Sequence, residues 1–199
     1  MSKKLKIGVL ASTKGTDLQA IIDEISSGKL NAEIACVISN KKDAYALERA
    51  KNHGIEAIFI DTKGKEREDF DKEVAKEFSK RKVGLVCLIG YMRILSGDFV
   101  KKFRGKIMNV HPSLLPKFGG GMDINVHEQV INAGEKESGC TIHFVTEEVD
   151  GGPIILQMKV PVHPTDTPET LKERVQSAEK IAYPEAIRLF IQGKIKLPS

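Results

Sequence analysis

Ile107-Met108-Asn109-Val110-His111-Pro112-Ser113-Leu114-Leu115-Pro116 separates two differently patterned parts of the chain. Residues 107–111 read as a short strand, and Pro112 and Pro116 restrict the backbone that follows. Residues two apart on an extended backbone point to the same side, so Asn109 and His111 can face one reacting group together. An amide donor beside a group that titrates near neutrality suits a developing oxyanion.

Towards the N-terminus, apolar runs alternate with helical spacing. Residues 6–11, 33–39, 57–60 and 85–89 read as strands. Leu18, Ile21, Ile22 and Ile25 follow helical spacing, with Thr16 or Asp17 as the expected cap and Ser26-Ser27-Gly28 as the stop. Further helices are expected over 44–53, over 66–80 with Phe70, Val74 and Phe78 on one side, and over 96–103. Strand and helix in alternation predict an α/β protein with a mostly parallel sheet flanked by helices.

Beyond Pro116 the pattern changes. A Gly-rich loop runs over 117–122, followed by a short helix near 126–133. Residues 141–145 and 154–160 read as strands joined through 146–153, which predicts an antiparallel C-terminal strand pair. Residues 167–192 read as a long C-terminal helix with Leu171, Val175, Ala182, Ala186 and Leu189 inward and Pro184 as a site for a kink. There is no repeat, low-complexity tract or linker, so residues 1–199 are expected to form a single domain.

The charge balance, 31 basic against 27 acidic residues for a net +4, is too weak to imply nucleic acid and is compatible with small anionic substrates without arguing for them. Cys36, Cys87 and Cys140 each lie in or beside an apolar run, without a Cys-x-x-Cys pair. Buried reduced thiols in a cytoplasmic protein are the simplest reading. The apolar run after Lys3, Lys4 and Lys6 is too short for a signal peptide, and no segment approaches a membrane span.

Three constellations carry chemistry. The turn Ser12-Thr13-Lys14-Gly15-Thr16-Asp17 follows a strand and opens a helix, where backbone N–H groups and the helix dipole can hold an anion. It is neither a dinucleotide fingerprint nor a Walker loop, and a plain strand–helix turn explains it equally well. Asn109 and His111 sit at the carboxyl end of an expected parallel strand, where open α/β sheets bind ligands. Ser113 lacks a nucleophile elbow, which removes a Ser-His-Asp triad. Asp150, in Val149-Asp150-Gly151-Gly152-Pro153, is a turn residue or the carboxylate partner of an imidazole, and spacing alone does not decide. His127, His143 and Asp150 lack the spacing of a metal site, and no metal is expected.

Taken together, Tyr91-Met92-Arg93-Ile94-Leu95, the 109–116 stretch, and His143-Phe144-Val145 running into Asp150-Gly151-Gly152-Pro153 resemble the formyltransferase superfamily. Leu18-Gln19-Ala20-Ile21-Ile22-Asp23 and Glu179-Lys180-Ile181-Ala182-Tyr183-Pro184 are similar to its glycinamide ribonucleotide branch, the folate-dependent formyltransferases of purine synthesis. The resemblance covers nearly the whole chain. It implies a Rossmann-like formyltransferase fold and transfer of the formyl group of 10-formyltetrahydrofolate to the amine of 5'-phosphoribosylglycinamide. It implies Asn109, His111 and Asp150 as the catalytic trio. It places the folate at Arg67, at Met92, Arg93, Ile94 and Leu95, at Asn109, and at Thr146, Glu147, Glu148, Val149 and Asp150. It places the ribonucleotide at Gly15, Thr16 and Asp17, at the loop after Pro116, and at Gln176 and Glu179. It leaves a homodimer open and requires no metal and no membrane.

Two departures from the family pattern stand out. The first loop, commonly Gly-Asn-Gly-Ser-Asn, reads Thr13-Lys14-Gly15-Thr16-Asp17 here, which puts a carboxylate where a phosphate is expected and Lys14 beside it. The loop Phe118-Gly119-Gly120-Gly121-Met122-Asp123 replaces a commoner form with Pro-Gly. Formyltetrahydrofolate hydrolases and sugar-nucleotide formyltransferases share the Asn-x-His chemistry and are the enzymatic alternatives. The hydrolases and the methionyl-tRNA formyltransferases are expected to carry a further domain not seen in this sequence. A nucleotide-binding module without catalysis would leave Asn109, His111 and Asp150 unexplained.

Overall fold

The computed structural model describes residues 3–120 and 124–195, with only the backbone described for Ile124 and Asn125. The Gly121-Met122-Asp123 part of the Gly-rich loop lies outside the described residues. The chain divides into two compact units, Met1–Asn109 and Val110–Ser199.

The first unit contains β1 (Leu5–Ala11), α1 (Thr16–Ser26), β2 (Ala32–Ser39), α2 (Tyr45–Asn52), β3 (Ala57–Phe59), α3 (Arg67–Lys80), β4 (Leu85–Ile89), α4 (Gly97–Lys102) and the start of β5 (Ile107–His111). Its strands run in the order β3-β2-β1-β4-β5 and pair in parallel throughout. All five residues of β4 are buried, because a strand between two parallel neighbours with helices packed over it has no solvent face. This is the parallel sheet with flanking helices that the alternation predicts.

The expected stripe on α3 is buried, with Phe70, Val74 and Phe78 fully enclosed. Phe78 meets Phe99 at 6.4 Å and Phe103 at 6.1 Å in edge-to-face geometry. Such aromatic pairs each add about 0.5–1.5 kcal/mol beyond area burial. They lock α3 and α4 together beside the sheet.

Chain order reverses between β1 and β4: β2 and β3 lie on one side, β5 on the other. The carboxyl ends of these two strands therefore form a switch point, the place where open α/β sheets receive ligands. Residues 12–15 leave β1 there, and residues 90–96 leave β4.

One expectation about α1 is corrected. Its N-cap is Gly15, not Thr16 or Asp17, and no side chain supplies a cap hydrogen bond. Gly15 has a φ of 64°, and a Cβ there would lie 2.9 Å from the Ala46 Cβ. Left-handed backbone and close approach to α2 together demand glycine.

The second unit contains the end of β5, α5 (Ile124–Asn132), β6 (Glu137–Phe144), β7 (Ile154–Pro161) and α6 (Pro168–Ile191). Strands β6 and β7 form the expected antiparallel pair. β6 begins at Glu137, earlier than its apolar run suggests, because Glu137 and Ser138 pair with Pro161 and Val160. The ladder overrides their weak strand propensity. Helix α6 packs on β6, β7 and α5. Thr167 and Thr170 cap it reciprocally, at 2.9 and 3.3 Å. The helix runs on past Pro184 and buries Leu171, Val175, Ala182, Tyr183, Ala186 and Ile187. Leu189, expected inward, is only half-buried.

Among the described residues, no helix is long and apolar enough to cross a membrane.

Candidate active site

In the second unit His111 is 3 % exposed and gripped from two sides. Its Nε2 lies 2.9 Å from the Phe118 carbonyl oxygen, and its Nδ1 lies 3.3 Å from Asp150 Oδ2. A carbonyl and a carboxylate both accept, so only a ring protonated on both nitrogens satisfies both partners. Asp150 Oδ2 also accepts the Gly120 N–H at 2.9 Å. The resemblance pairs Asp150 with His111, and the structure brings the two together.

Three non-glycine residues among those described have left-handed backbone, and two of them hold this imidazole: Phe118 at φ 58° and Asp150 at φ 54°. Such backbone costs about 1–3 kcal/mol per residue and persists where surrounding structure compels it. At Asp150 the cause is local. Phe144 N–H donates to the Pro153 carbonyl at 2.9 Å across the turn. A Cβ on Gly152 would fall 1.7 Å from the Phe144 carbonyl oxygen. The Gly-Pro sequence thus pulls the turn tight and aims Asp150 back at His111.

His143, on β6, places Nε2 3.6 Å from Asp150 Oδ1. Burial lowers its pKa, against smaller opposing effects of the Phe144 carbonyl and the Asp150 carboxylate. A neutral His143 with Nδ1–H donating to the Phe144 carbonyl, at 3.0 Å, turns the Nε2 lone pair toward Asp150. Sequence reasoning weighed His143 as a metal ligand and as part of the family motif, without giving it a role beside Asp150. Its place two residues beyond Thr141 on a buried strand was the available signal. Among the described residues, no group of three or more His, Cys, Asp or Glu side chains is placed to hold a metal ion.

In the first unit, the switch point is built around Ser12, a residue sequence reasoning left inside a turn. Ser12 N–H donates to the Gly90 carbonyl at 3.0 Å. Its hydroxyl donates to Asn40 Oδ1 at 2.6 Å and accepts the Met92 N–H at 3.0 Å. One buried hydroxyl thereby joins the ends of β1, β2 and β4. Gly15 and Thr16 open α1 with Lys14 exposed beside them, while Asp17 is only 3 % exposed. The Asp17 carboxylate is buried at the start of α1 rather than presented to solvent.

Met92 and Ile94 are 41 % and 54 % exposed, whereas Leu95 is buried. The Arg93 guanidinium lies 4.8 Å from the Phe70 ring centroid. Arg67, exposed at the start of α3, pairs with Glu68 at 3.2 Å. Asn109 sits on β5 in register with Leu88.

In the second unit, Thr146 Oγ1 donates to the Glu148 carbonyl at 3.2 Å, Glu147 and Glu148 face solvent, and Val149 is 55 % exposed. Gln176 and Glu179 lie one turn apart on α6, with Glu179 buried.

A parallel sheet with an open switch point and an imidazole clamped by a carboxylate define a group-transfer enzyme. A family model described as formyl transferase matches residues 5–187, and the chain belongs to that family. It is 46% identical over 193 residues to the phosphoribosylglycinamide formyltransferase of Haemophilus influenzae, covering 96% of this chain and 90% of that protein. It is 47% identical to part of the trifunctional purine biosynthetic protein adenosine-3 of Gallus gallus, matching over 98% of its own length and spanning 19% of that protein. The crystal structure of glycinamide ribonucleotide transformylase 1 from Symbiobacterium toebii superposes with a TM-score of 0.95 at 44% identity, covering 100% of this chain and 93% of that one.

Proposed function

We propose that this chain transfers the formyl group of 10-formyltetrahydrofolate to the amine of 5'-phosphoribosylglycinamide in de novo purine synthesis. The similarity to a phosphoribosylglycinamide formyltransferase along nearly the full length of both proteins carries this reading. The His111–Asp150 pair supports the chemistry.

The amine nitrogen bonds to the formyl carbon, and the bond from that carbon to N10 of the folate breaks. One proton leaves the amine and one arrives at N10. In between, the formyl oxygen carries negative charge. The Asn109 amide donates to that oxygen, and the His111 imidazolium donates through Nε2. Nε2 faces the Phe118 carbonyl oxygen at 2.9 Å, and in the reaction the formyl oxygen takes that place. Asp150 holds the ring in register through Nδ1, and its second oxygen orients a water that carries the proton. Holding both substrates in one cleft makes the attack effectively intramolecular.

The exposed apolar side chains of Met92, Ile94 and Val149 receive the folate ring system, with Arg67, Arg93, Leu95, Thr146, Glu147 and Glu148 around it. The start of α1 at Gly15, Thr16 and Asp17 receives the phosphate through backbone N–H groups. Gln176 and Glu179 contact the ribonucleotide. The two compact units act as one formyltransferase domain, a reading supported by the family match running through both. A cytoplasmic site fits three buried free cysteines, which a reducing compartment preserves. Small molecules are the partners, without nucleic acid, membrane or metal, and a homodimer is compatible with all of this.

The test is formyl transfer from 10-formyltetrahydrofolate with the acceptor varied. Tetrahydrofolate release that depends on phosphoribosylglycinamide supports the reading. Release without any acceptor, or only with an amino sugar nucleotide, overturns it.

A further inference from the structure

Residues 92–95 carry exposed apolar side chains, yet their backbone is pinned at both ends by side chains from elsewhere in the first unit. At one end the Met92 N–H donates to Ser12 Oγ at 3.0 Å. At the other the Ser96 N–H donates to Asp71 Oδ2 at 2.5 Å. Ser96 is also the N-cap of α4, its hydroxyl accepting the Phe99 N–H at 3.4 Å. Asp71 lies on α3, one turn beyond Arg67 and next to Phe70, whose ring carries the Arg93 guanidinium.

Asp71 is 2 % exposed, and burial raises its carboxyl pKa against the opposing effects of the Ser96 N–H and hydroxyl and the Arg93 and Arg67 charges. A carboxylate is expensive to bury, and packing alone would be served by an apolar residue. Its hydrogen bond goes to the residue that ends the donor-binding stretch.

We propose that Asp71 is a positioning residue: by holding the Ser96 N–H, its buried carboxylate fixes residues 92–95 in the conformation that receives the formyl donor. The proposal rests on the assignment of that stretch to the folate. A loop fixed before binding loses less conformational freedom when the ligand arrives, so the anchor acts on donor affinity rather than on the chemical step.

The experiment compares Asp71→Ala, Asp71→Asn and Ile94→Glu, each checked for folding, by steady-state kinetics and by amide hydrogen exchange over residues 90–97. Asp71→Ala is expected to raise the donor KM about tenfold, with kcat and the acceptor KM within about twofold of the parent. Exchange over 90–97 is expected to accelerate. Asp71→Asn keeps an acceptor oxygen without the charge and falls between, at about threefold.

Ile94→Glu puts a charge in the same stretch without touching the anchor. A raised donor KM in Ile94→Glu alone overturns the role of Asp71. A normal donor KM in all three variants overturns the donor assignment itself, and the proposal with it. Loss of kcat with both KM values unchanged also overturns it. Where Asp71→Ala does not fold, a parent-like donor KM and parent-like exchange in Asp71→Asn have the same force.

Discussion

Asp150→Asn removes one charge from the active site and leaves a side chain of the same shape. The amide oxygen can still face the Gly120 N–H and His111 Nδ1, while the amide nitrogen donates toward His143 Nε2, which neutral His143 offers as an acceptor. The variant should therefore fold normally, and the change is electrostatic. A unit charge pair at the observed 3.3 Å is worth about 5 kcal/mol at an effective dielectric of about 20, and about 1 kcal/mol in water. The Asp150 side chain is 13% exposed, which puts the pair between the two limits. Taking roughly 3 kcal/mol as the lost stabilisation of the imidazolium, kcat should fall roughly a hundredfold. The KM values for donor and acceptor should stay within about threefold, because the interaction is strongest when the oxyanion has formed. Initial rates of acceptor-dependent tetrahydrofolate release, with a thermal melt to establish folding, measure this. A folded variant with kcat within about threefold of the parent, or a loss confined to KM, refutes the electrostatic role of Asp150.

Asn109→Ala and His111→Ala should each lower kcat about a hundredfold or more, the usual effect of losing an oxyanion donor or an acid, and near-normal turnover in either purified variant would remove that residue from the chemistry. Gly152→Ala forces a Cβ to within 1.7 Å of the Phe144 carbonyl oxygen, so urea unfolding should show a loss of about 3 kcal/mol; an unchanged midpoint would mean the turn is not constrained as described. Asp166 is held by Arg174 at 2.7 and 2.8 Å, which depresses its carboxyl pKa. A depressed folded-state value gives stability that is full above the unfolded carboxyl range of about pH 4 and is lost progressively below it, as the pH falls through the lower folded value. Asp166→Asn should therefore lower Tm at neutral pH and converge with the parent in strong acid, and a Tm difference independent of pH would contradict the linkage.

The parallel part of the fold was legible because its signals are local. The run 85–89 is apolar at every position, and only a strand enclosed on both faces can use such a sequence. Phe70, Val74 and Phe78 repeat at helical spacing and are all buried. Where expectation failed, a longer-range interaction decided. Thr16 and Asp17 are good capping residues by type, yet the cap is Gly15, because α2 approaches too closely there for any side chain. Glu137 and Ser138 read as loop, yet pairing with β7 draws them into β6. The inward face of α6 ran to Leu189 by periodicity, but Tyr183 and Ile187 are buried while Leu189 is only half-buried.

The candidate site divides along the same line. Asn109 and His111 are two residues apart on one strand, so a period of two predicts a common side for both. Asp150 lies beyond a helix and a strand, and only the turn geometry at Gly152 and Pro153 explains why its carboxylate reaches His111. Ser12 and Asp71 were invisible for a different reason. Each works by accepting a backbone N–H from residues 92–96, and that contact leaves no mark in residue type or spacing. The side chains expected to touch substrate sit at strand ends and turns, where sequence patterns record them. The side chains that hold those turns still are buried polar groups on other elements. Their cost of burial is evidence that the turn they hold has one required shape.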